Sequence, residues 1–215
     1  MILIIENFLE DLCAKKIYQQ LSAPEFPWSY YTHVIFNDTF ARSCLTNPES
    51  FAEELPCFRH TFYSTTPSSN KFQNWRPNLK SANYNAIQPL VTAIEQYFSP
   101  KKTFFESIHG NLMLEHPMYT QSALAHFDRV YNKSDHVQYN TFTGLFYLNT
   151  CDAETVLYNE HYDVDNHSVQ SMTQHQRIKP EFNKLVLWDS RRFHSSPACG
   201  DTSRFLINLN LRVAK

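Results

Sequence analysis

The run "SRFLINLNLRV" near the C-terminus constrains this chain more than any other stretch. Alternate side chains of an extended strand project from opposite faces, which puts Arg204, Leu206, Asn208 and Asn210 on one side and Phe205, Ile207, Leu209 and Leu211 on the other. A wholly apolar face has to be covered; helical spacing is clearest in two segments, of which the first is the natural cover. The first is the segment at about 86–98, with Ile87, Leu90, Val91, Ile94, Tyr97 and Phe98; the other carries Leu9, Leu12, Cys13, Ile17 and Leu21. The opposite face, with a guanidinium and two amides, is then left to line the inside of a barrel or sandwich, where its polar groups need partners. Helices outside and polar groups inside imply a cavity with chemistry in it.

The rest of the chain agrees with that arrangement. From about Ser107 onward it is a series of short apolar or alternating runs, "SIHGNLML", "ALAHF", "FTGLFYLN", "ETVLY" and "NKLVLWD", which read as strands. The N-terminal half holds both helical patterns, and "MILII" reads as a first strand. Between the helices lie irregular, Pro- and Asn-rich stretches, of which residues 68–85 read as an ordered loop or a lid. With 215 residues, one domain over 1–215 is expected, residues 1–106 forming helical or irregular support and 107–212 the β-rich core. Gly200 in "ACGDTS" is placed to join the last two strands.

Charge and cysteine usage exclude several classes. The net charge of -2 is built from interspersed acids and bases, so neither nucleic acid nor an anionic membrane surface is an expected partner. No apolar run is long enough to cross a bilayer. The five cysteines are widely spaced with no CxxC, which argues against a disulfide framework or a zinc knuckle and for a reducing, cytoplasmic setting. No G-x-S-x-G is present, and Ser195 merely follows His194, which leaves little support for a serine hydrolase.

Two H-x-D pairs stand out: His126 and Asp128 in "ALAHFDRV", and His161 and Asp163 in "NEHYDVDNH". Residues i and i+2 of a strand share a face, so either pair could offer two adjacent ligands to one metal ion. "ALAHFD" is apolar and strand-like, whereas "NEHYDVDNH" is polar on both faces and reads as a solvated loop. The first pair is therefore preferred. His194 ends the apolar run "NKLVLWDSRRFH" and is the candidate third ligand, with Arg204 ten residues further on, across the turn. Two imidazoles and one carboxylate on one face of an octahedron leave three positions open, the arrangement of non-haem Fe(II) oxygenases. A keto acid can take two of them and O₂ the third. Its distal carboxylate would need a fixed cationic fork such as Arg204, and Tyr147 is a plausible hydroxyl beside it.

At residues 107–212 the chain resembles the Fe(II)/2-oxoglutarate-dependent dioxygenases, especially the prolyl-hydroxylase-like branch. The resemblance is carried by "HFD", "GLFYLN", "FNKLVLWDSRRFH" and "SRFLINL", in that order. It implies a double-stranded β-helix, or jelly roll, with flanking helices, and Fe(II) held by His126, Asp128 and His194. It further implies 2-oxoglutarate as co-substrate on Arg204 with help from Tyr147, O₂ as oxidant, and hydroxylation of a peptidyl (for example prolyl) or small-molecule substrate with release of succinate and CO₂. Asp128 matches the hydroxylase pattern; related halogenases have a small residue there. The sequence departs from the family at "DAETVLYN", which lacks the usual Gly-Gly turn, and ahead of the H-x-D, where His116 and Tyr119 stand at offsets that do not match the usual tyrosine.

Less specific readings remain for several residues. Arg204 could form a cross-strand salt bridge with Glu154. Arg191 and Arg192 could meet an anionic substrate group, but read better as a solvated pair at a strand end. Trp188 reads as core. The cluster Glu160, His161, Asp163, Asp165 and His167 lacks the glycine and terminal glutamate of an EF-hand loop. For the whole chain, the rivals to an oxygenase are a jelly-roll module that binds a metal or ligand without turnover, and a cupin-type metal isomerase.

Overall fold

The computed structural model describes residues 1–31, 57–65, 79–115, 125–128, 133–163, 171–196, 199–200 and 202–215. Eleven strands are described among them. In chain order these are β1 (Ile2–Ile5), β2 (Ser29–Tyr31), β3 (Cys57–Ser64), β4 (Leu79–Lys80), β5 (Thr103–Met113) and β6 (Tyr139–Tyr147), then β7 (Thr155–His161), β8 (Gln174–Ile178), β9 (Leu185–Asp189), β10 (Arg192–Ser195) and β11 (Arg204–Ala214). The helices are α1 (Asp11–Leu21), α2 (Gln88–Phe98), preceded by a 3-10 segment at Ala82–Ile87, and the short α3 (Lys133–Gln138).

A large sheet runs in the order β1-β9-β6-β11-β5-β3-β2, with β4 on β3, and a small sheet in the order β10-β7-β8. Every pair of neighbouring strands described in the two sheets is antiparallel, as expected of a jelly roll. The stretch around His126 adds to the free edge of β10 through a bridge to His194, with His126 N–H donating to the His194 carbonyl at 2.9 Å and His194 N–H returning the bond at 2.8 Å.

The last strand lies at the centre of the large sheet, between β5 and β6, and its alternation sorts the core into two layers. Phe205, Ile207, Leu209 and Leu211 pack outward with Ala14, Ile17 and Leu21 of α1 and Leu90, Val91 and Ile94 of α2. The two expected helices therefore cover the expected face. Leu12 of α1 and Tyr97 of α2 are exceptions to the helical pattern, at 57% and 48% exposure. Leu206 points the other way and joins Leu145, Tyr147, Val186 and Trp188 of the large sheet against Leu157 and Ile178 of the small one. Trp188 is core, as its sequence context suggested.

Two connections are shaped by close approach. Gly144 of β6 leaves room for Leu187, since a Cβ there would sit 2.4 Å from the Leu187 Cδ2. Gly200 donates its N–H to the Asp152 carboxylate at 3.2 Å, and a Cβ would meet the same oxygen at 2.7 Å, so glycine is needed there for room. Asn183 adopts a left-handed φ of 64° in the turn before β9 and uses its amide to hold Leu9 N–H and C=O, pinning the start of α1 to that turn.

The N-terminal half contributes more strand than helical support alone would. β3 pairs along β5, and β1 pairs with β9 on the other edge region of the same sheet. Of the expected loop at 68–85, residues 68–78 lie outside the described residues, and 79–85 form β4 and most of the 3-10 segment. His116 and Tyr119 also lie outside them.

Candidate metal centre and co-substrate site

His126 and Asp128 point into the space between the sheets, and Phe127 between them points out. The outward Phe127 stacks on Tyr162 at 4.3 Å and meets Phe193 edge-on at 5.3 Å. Phe193 is likewise the outward neighbour of His194, so two aromatic anchors on the outer face turn both ligand-bearing segments inward. The mutual backbone bridge then brings the two imidazoles together, with ring centroids 4.3 Å apart.

Asp128 faces both rings with the same oxygen. Its Oδ1 lies 3.4 Å from His126 Nε2 and 3.5 Å from His194 Nε2. Adjacent ligands on a metal at about 2.1 Å are roughly 3 Å apart, and the three donor atoms lie within 4.8 Å of one another, close enough to converge on one ion. Among the described residues this is the one group of three His, Cys, Asp or Glu side chains close enough to hold a metal. Burial would push the Asp128 carboxyl up, but the imidazoles of His194 and His126 outweigh it and hold the group well below the ordinary carboxylate range. Burial, and then the His126 charge, push the His194 imidazole down. A carboxylate and a neutral imidazole are the states in which these side chains bind a cation. His194 Nδ1 lies 3.4 Å from the Arg192 carbonyl, a long contact that favours a proton on Nδ1 and leaves Nε2 free to bind. The edge of Trp188 packs on the His194 ring at 5.0 Å and limits its rotation.

Arg204 is 4% exposed on the inward face of β11. Its guanidinium donates to the hydroxyl of Ser196 at 2.7 Å and to that of Thr155, and its Nε has no partner. The Tyr147 hydroxyl is 2.6 Å from the same Thr155 oxygen, and the Arg204 guanidinium carbon lies 5.6 Å from the Tyr147 ring centroid. Among the described residues no carboxylate forms an ion pair with Arg204. Glu154, the sequence alternative, is paired with Arg177 at 2.6 Å. A buried cation surrounded by hydroxyls is an incomplete arrangement that an anionic ligand would complete, and a carboxylate suits the planar fork.

Other expectations divide. Arg191 is held by Asp189 through two hydrogen bonds of 2.9 and 3.1 Å. Arg192 corrects the reading of a solvated pair. It is buried and donates to the Tyr158 carbonyl, where three residues on β10 (Arg192 to His194) face five on β7 (His161 to Leu157) and the ladder shifts register. "NEHYDVDNH" is likewise not all loop. Glu160 and His161 belong to β7, with Glu160 accepting the Thr173 N–H and His161 opposite Arg192. Asp163 is exposed, and Asp165 and His167 lie outside the described residues.

Three partners of the site escaped the sequence reading: Thr155, Ser196 and the amide of Asn208, which donates to Asp128 Oδ2 at 2.7 Å. Asn208 was placed on the inward face by alternation, but only the fold shows that this face passes behind Asp128.

Comparisons agree with this geometry. Residues 114–212 match the model of the 2OG-Fe(II) oxygenase superfamily. A search of curated proteins finds no match. Among solved structures, the chain is similar to a prolyl hydroxylase from Trichoplax adhaerens in complex with a hypoxia inducible factor peptide fragment (TM-score 0.55, 14% identity, 99% of this chain and 83% of that one). It is also similar to a viral collagen prolyl hydroxylase from Paramecium Bursaria Chlorella virus-1 (0.51, 12%, 98% and 95%). A third is the non-haem alpha ketoglutarate dependent epimerase SnoN from nogalamycin biosynthesis (0.57, 9%, 98% and 76%). At these identities the structural likeness speaks for the fold. The family match at residues 114–212 and a His-Asp-His group inside a jelly roll support the 2OG-Fe(II) oxygenase superfamily, whose members use Fe(II), 2-oxoglutarate and O₂.

Proposed function

We propose that the protein is a hydroxylase in which His126, Asp128 and His194 hold Fe(II), and Arg204 with Tyr147 holds 2-oxoglutarate. The observation that carries this reading is the pairing of a His-Asp-His group with a buried guanidinium that has no carboxylate partner among the described residues, both on inward faces of the same jelly roll. When bound, iron and 2-oxoglutarate supply the oxidising chemistry that converts O₂ and a substrate C–H bond to an alcohol, with succinate and CO₂ as co-products.

The residues divide the remaining work. His126, Asp128 and His194 would hold the metal with two imidazoles and one carboxylate, a donor set that would leave room for co-substrate and oxidant. Arg204 fixes the far carboxylate of 2-oxoglutarate by two donors, so the keto acid is aimed at the metal and does not slide. Tyr147 and Ser196 add hydroxyls that can reorient to the incoming oxygens, with Thr155 tying Tyr147 to Arg204. Leu157, Val186, Trp188 and Leu206 keep bulk water from this space.

The substrate we favour is a peptidyl residue such as proline, with a small metabolite next. Similarity to two prolyl hydroxylases supports the first and similarity to the epimerase the second. Asp128, in place of a small residue, speaks against halogenation. We take 1–215 as one domain, because β1 and β3 are strands of the sheet that carries Arg204. A cytoplasmic setting fits the free thiols of Cys13, Cys57, Cys151 and Cys199. No described helix is long and apolar enough to cross a membrane.

The test is succinate formation from 2-oxoglutarate by the Fe(II)-loaded protein without substrate. Slow turnover that disappears in His126→Ala is expected; metal binding without any turnover would favour a binding module.

A further inference from the structure

Asp128 uses its two oxygens differently. Oδ1 faces both imidazoles at 3.4 and 3.5 Å, while Oδ2 accepts the Asn208 side-chain N–H at 2.7 Å. We infer that Asn208 is a positioning residue that restricts Asp128 to one-oxygen ligation, with its amide locked in that sense by a relay through Asn210 to Thr143. The inference rests on the reading of His126, Asp128 and His194 as the metal ligands.

The direction of every bond in the relay follows from its first member. Asn208 turns its amide N–H toward Asp128 Oδ2, since a carboxylate that binds a metal through its other oxygen can only accept there. The Asn208 carbonyl oxygen then faces Asn210, whose Nδ2 donates to it at 3.2 Å and to Ser107 Oγ at 3.3 Å. That leaves the Asn210 carbonyl oxygen to accept the Thr143 hydroxyl at 3.0 Å. Asn210 and Thr143 are buried, so flipping either amide would oppose acceptor to acceptor without water to relieve it.

Asn208 and Asn210 sit on β11 and Thr143 on β6, where Asn210 and Thr143 are direct cross-strand partners. Three strands of the rigid large sheet, with Ser107 on β5, therefore hold the donor, whereas Asp128 lies on a short segment attached by one bridge. The functional consequence concerns the open positions. A carboxylate released from Asn208 can rotate and offer its second oxygen to the metal. It then competes for one of the three places that a two-oxygen keto acid and O₂ require.

The test uses Co(II) in place of Fe(II), because its visible absorption reports coordination number and geometry without turnover. Asn208→Leu, close to Asn in size, removes the donor, and Thr143→Val removes the far end of the relay. The Co(II) spectrum of Asn208→Leu is expected to differ from wild type, and 2-oxoglutarate to bind the Co(II) protein about 10–100-fold more weakly, the range for losing a group that orients a metal ligand. Thr143→Val should change the spectrum in the same direction, by less. If Asn208→Leu does not fold, Asn208→Ala takes its place with the same expectation. A wild-type spectrum and wild-type 2-oxoglutarate affinity in the 208 variant overturn the inference, even if its melting temperature falls, since that is all a purely structural amide would produce. If the wild-type protein shows no Co(II) binding that His126→Ala removes, the metal-centre reading itself fails and this inference with it.

Discussion

The chain contains the same two-residue spacing twice, and only one copy is built into a site. His126 and Asp128 flank an outward Phe127 anchored on Tyr162 and Phe193, and they face His194 across a two-bond backbone bridge. His161 ends β7 opposite Arg192, and Asp163 is exposed beyond the strand end. The burial of His161 pushes its imidazole down, aided by Arg192, which makes it a neutral neighbour of a cation. Identical spacing thus yields a converging donor set in one place and a strand end in the other. The difference lies in what stands opposite: a second imidazole, that of His194, for the first pair, and an arginine for the second.

A second contrast has the same form. Arg191 and Arg204 are both close to the candidate centre in sequence, yet Arg191 has its carboxylate in Asp189 while Arg204, among the described residues, meets only hydroxyls. One guanidinium is satisfied and the other is available for a ligand.

The strongest way to break the first contrast is to remove a ligand. His126→Ala, Asp128→Ala and His194→Ala should each abolish specific metal binding, measured by anaerobic titration; retention in Asp128→Ala would remove the triad. Next in size is Arg204→Ala, which should leave the metal in place while weakening 2-oxoglutarate about 10–150-fold, the equivalent of the 1.5–3 kcal/mol of a hydrogen bond to a charged group. Arg204→Lys should fall between, because it keeps charge without the fork. Thr155→Val strips the hydroxyl shared by Arg204 and Tyr147, leaving two buried donors short of a partner. It should cost about 1–3 kcal/mol of stability by thermal or urea unfolding, and an unchanged midpoint would argue against the shared bond.

The smallest effects are expected at the second members of each contrast. His161→Ala should bind metal as wild type does. Arg191→Ala should leave 2-oxoglutarate affinity unchanged and cost no more than about 1 kcal/mol, its pair with Asp189 being partly exposed. Burial raises the Asp189 carboxyl, but the Arg191 bonds outweigh it and the group is held below its ordinary 3.8. This contribution is therefore present above pH 3.8 and fades as the pH falls through the depressed value, so wild type and Arg191→Ala should converge in stability below that point.

How far the sequence could be read follows from the length of the pattern. β11 alternates over eleven residues and is buried on both faces, so its sorting into a helix-covered side and a polar interior was legible, as were the two helices. β3, "CFRHTFYS", mixes aromatics with His and Arg and was missed. It is a strand because β5 lies alongside it, and nothing local requires it. β7 was read too short for a related reason: its polar end, Glu160 and His161, is held by Thr173, just ahead of β8, and faces Arg192 of β10. In the site, ligand types and spacing pointed to His126, Asp128, His194 and Arg204. Asn208, Thr155 and Ser196 carry side chains that are common everywhere, and they matter here only through tertiary placement.

The central claim is that one H-x-D pair, with His194 and Arg204, forms a centre that takes iron and 2-oxoglutarate together. Anaerobic titration of the Fe(II) protein with 2-oxoglutarate, following the metal-to-ligand charge-transfer band, tests it most directly when wild type, His126→Ala, His161→Ala and Arg204→Ala are compared. The account predicts a saturable band in wild type and His161→Ala, none in His126→Ala, and one that needs about 10–150-fold more 2-oxoglutarate in Arg204→Ala. A band that survives His126→Ala and disappears in His161→Ala would contradict it.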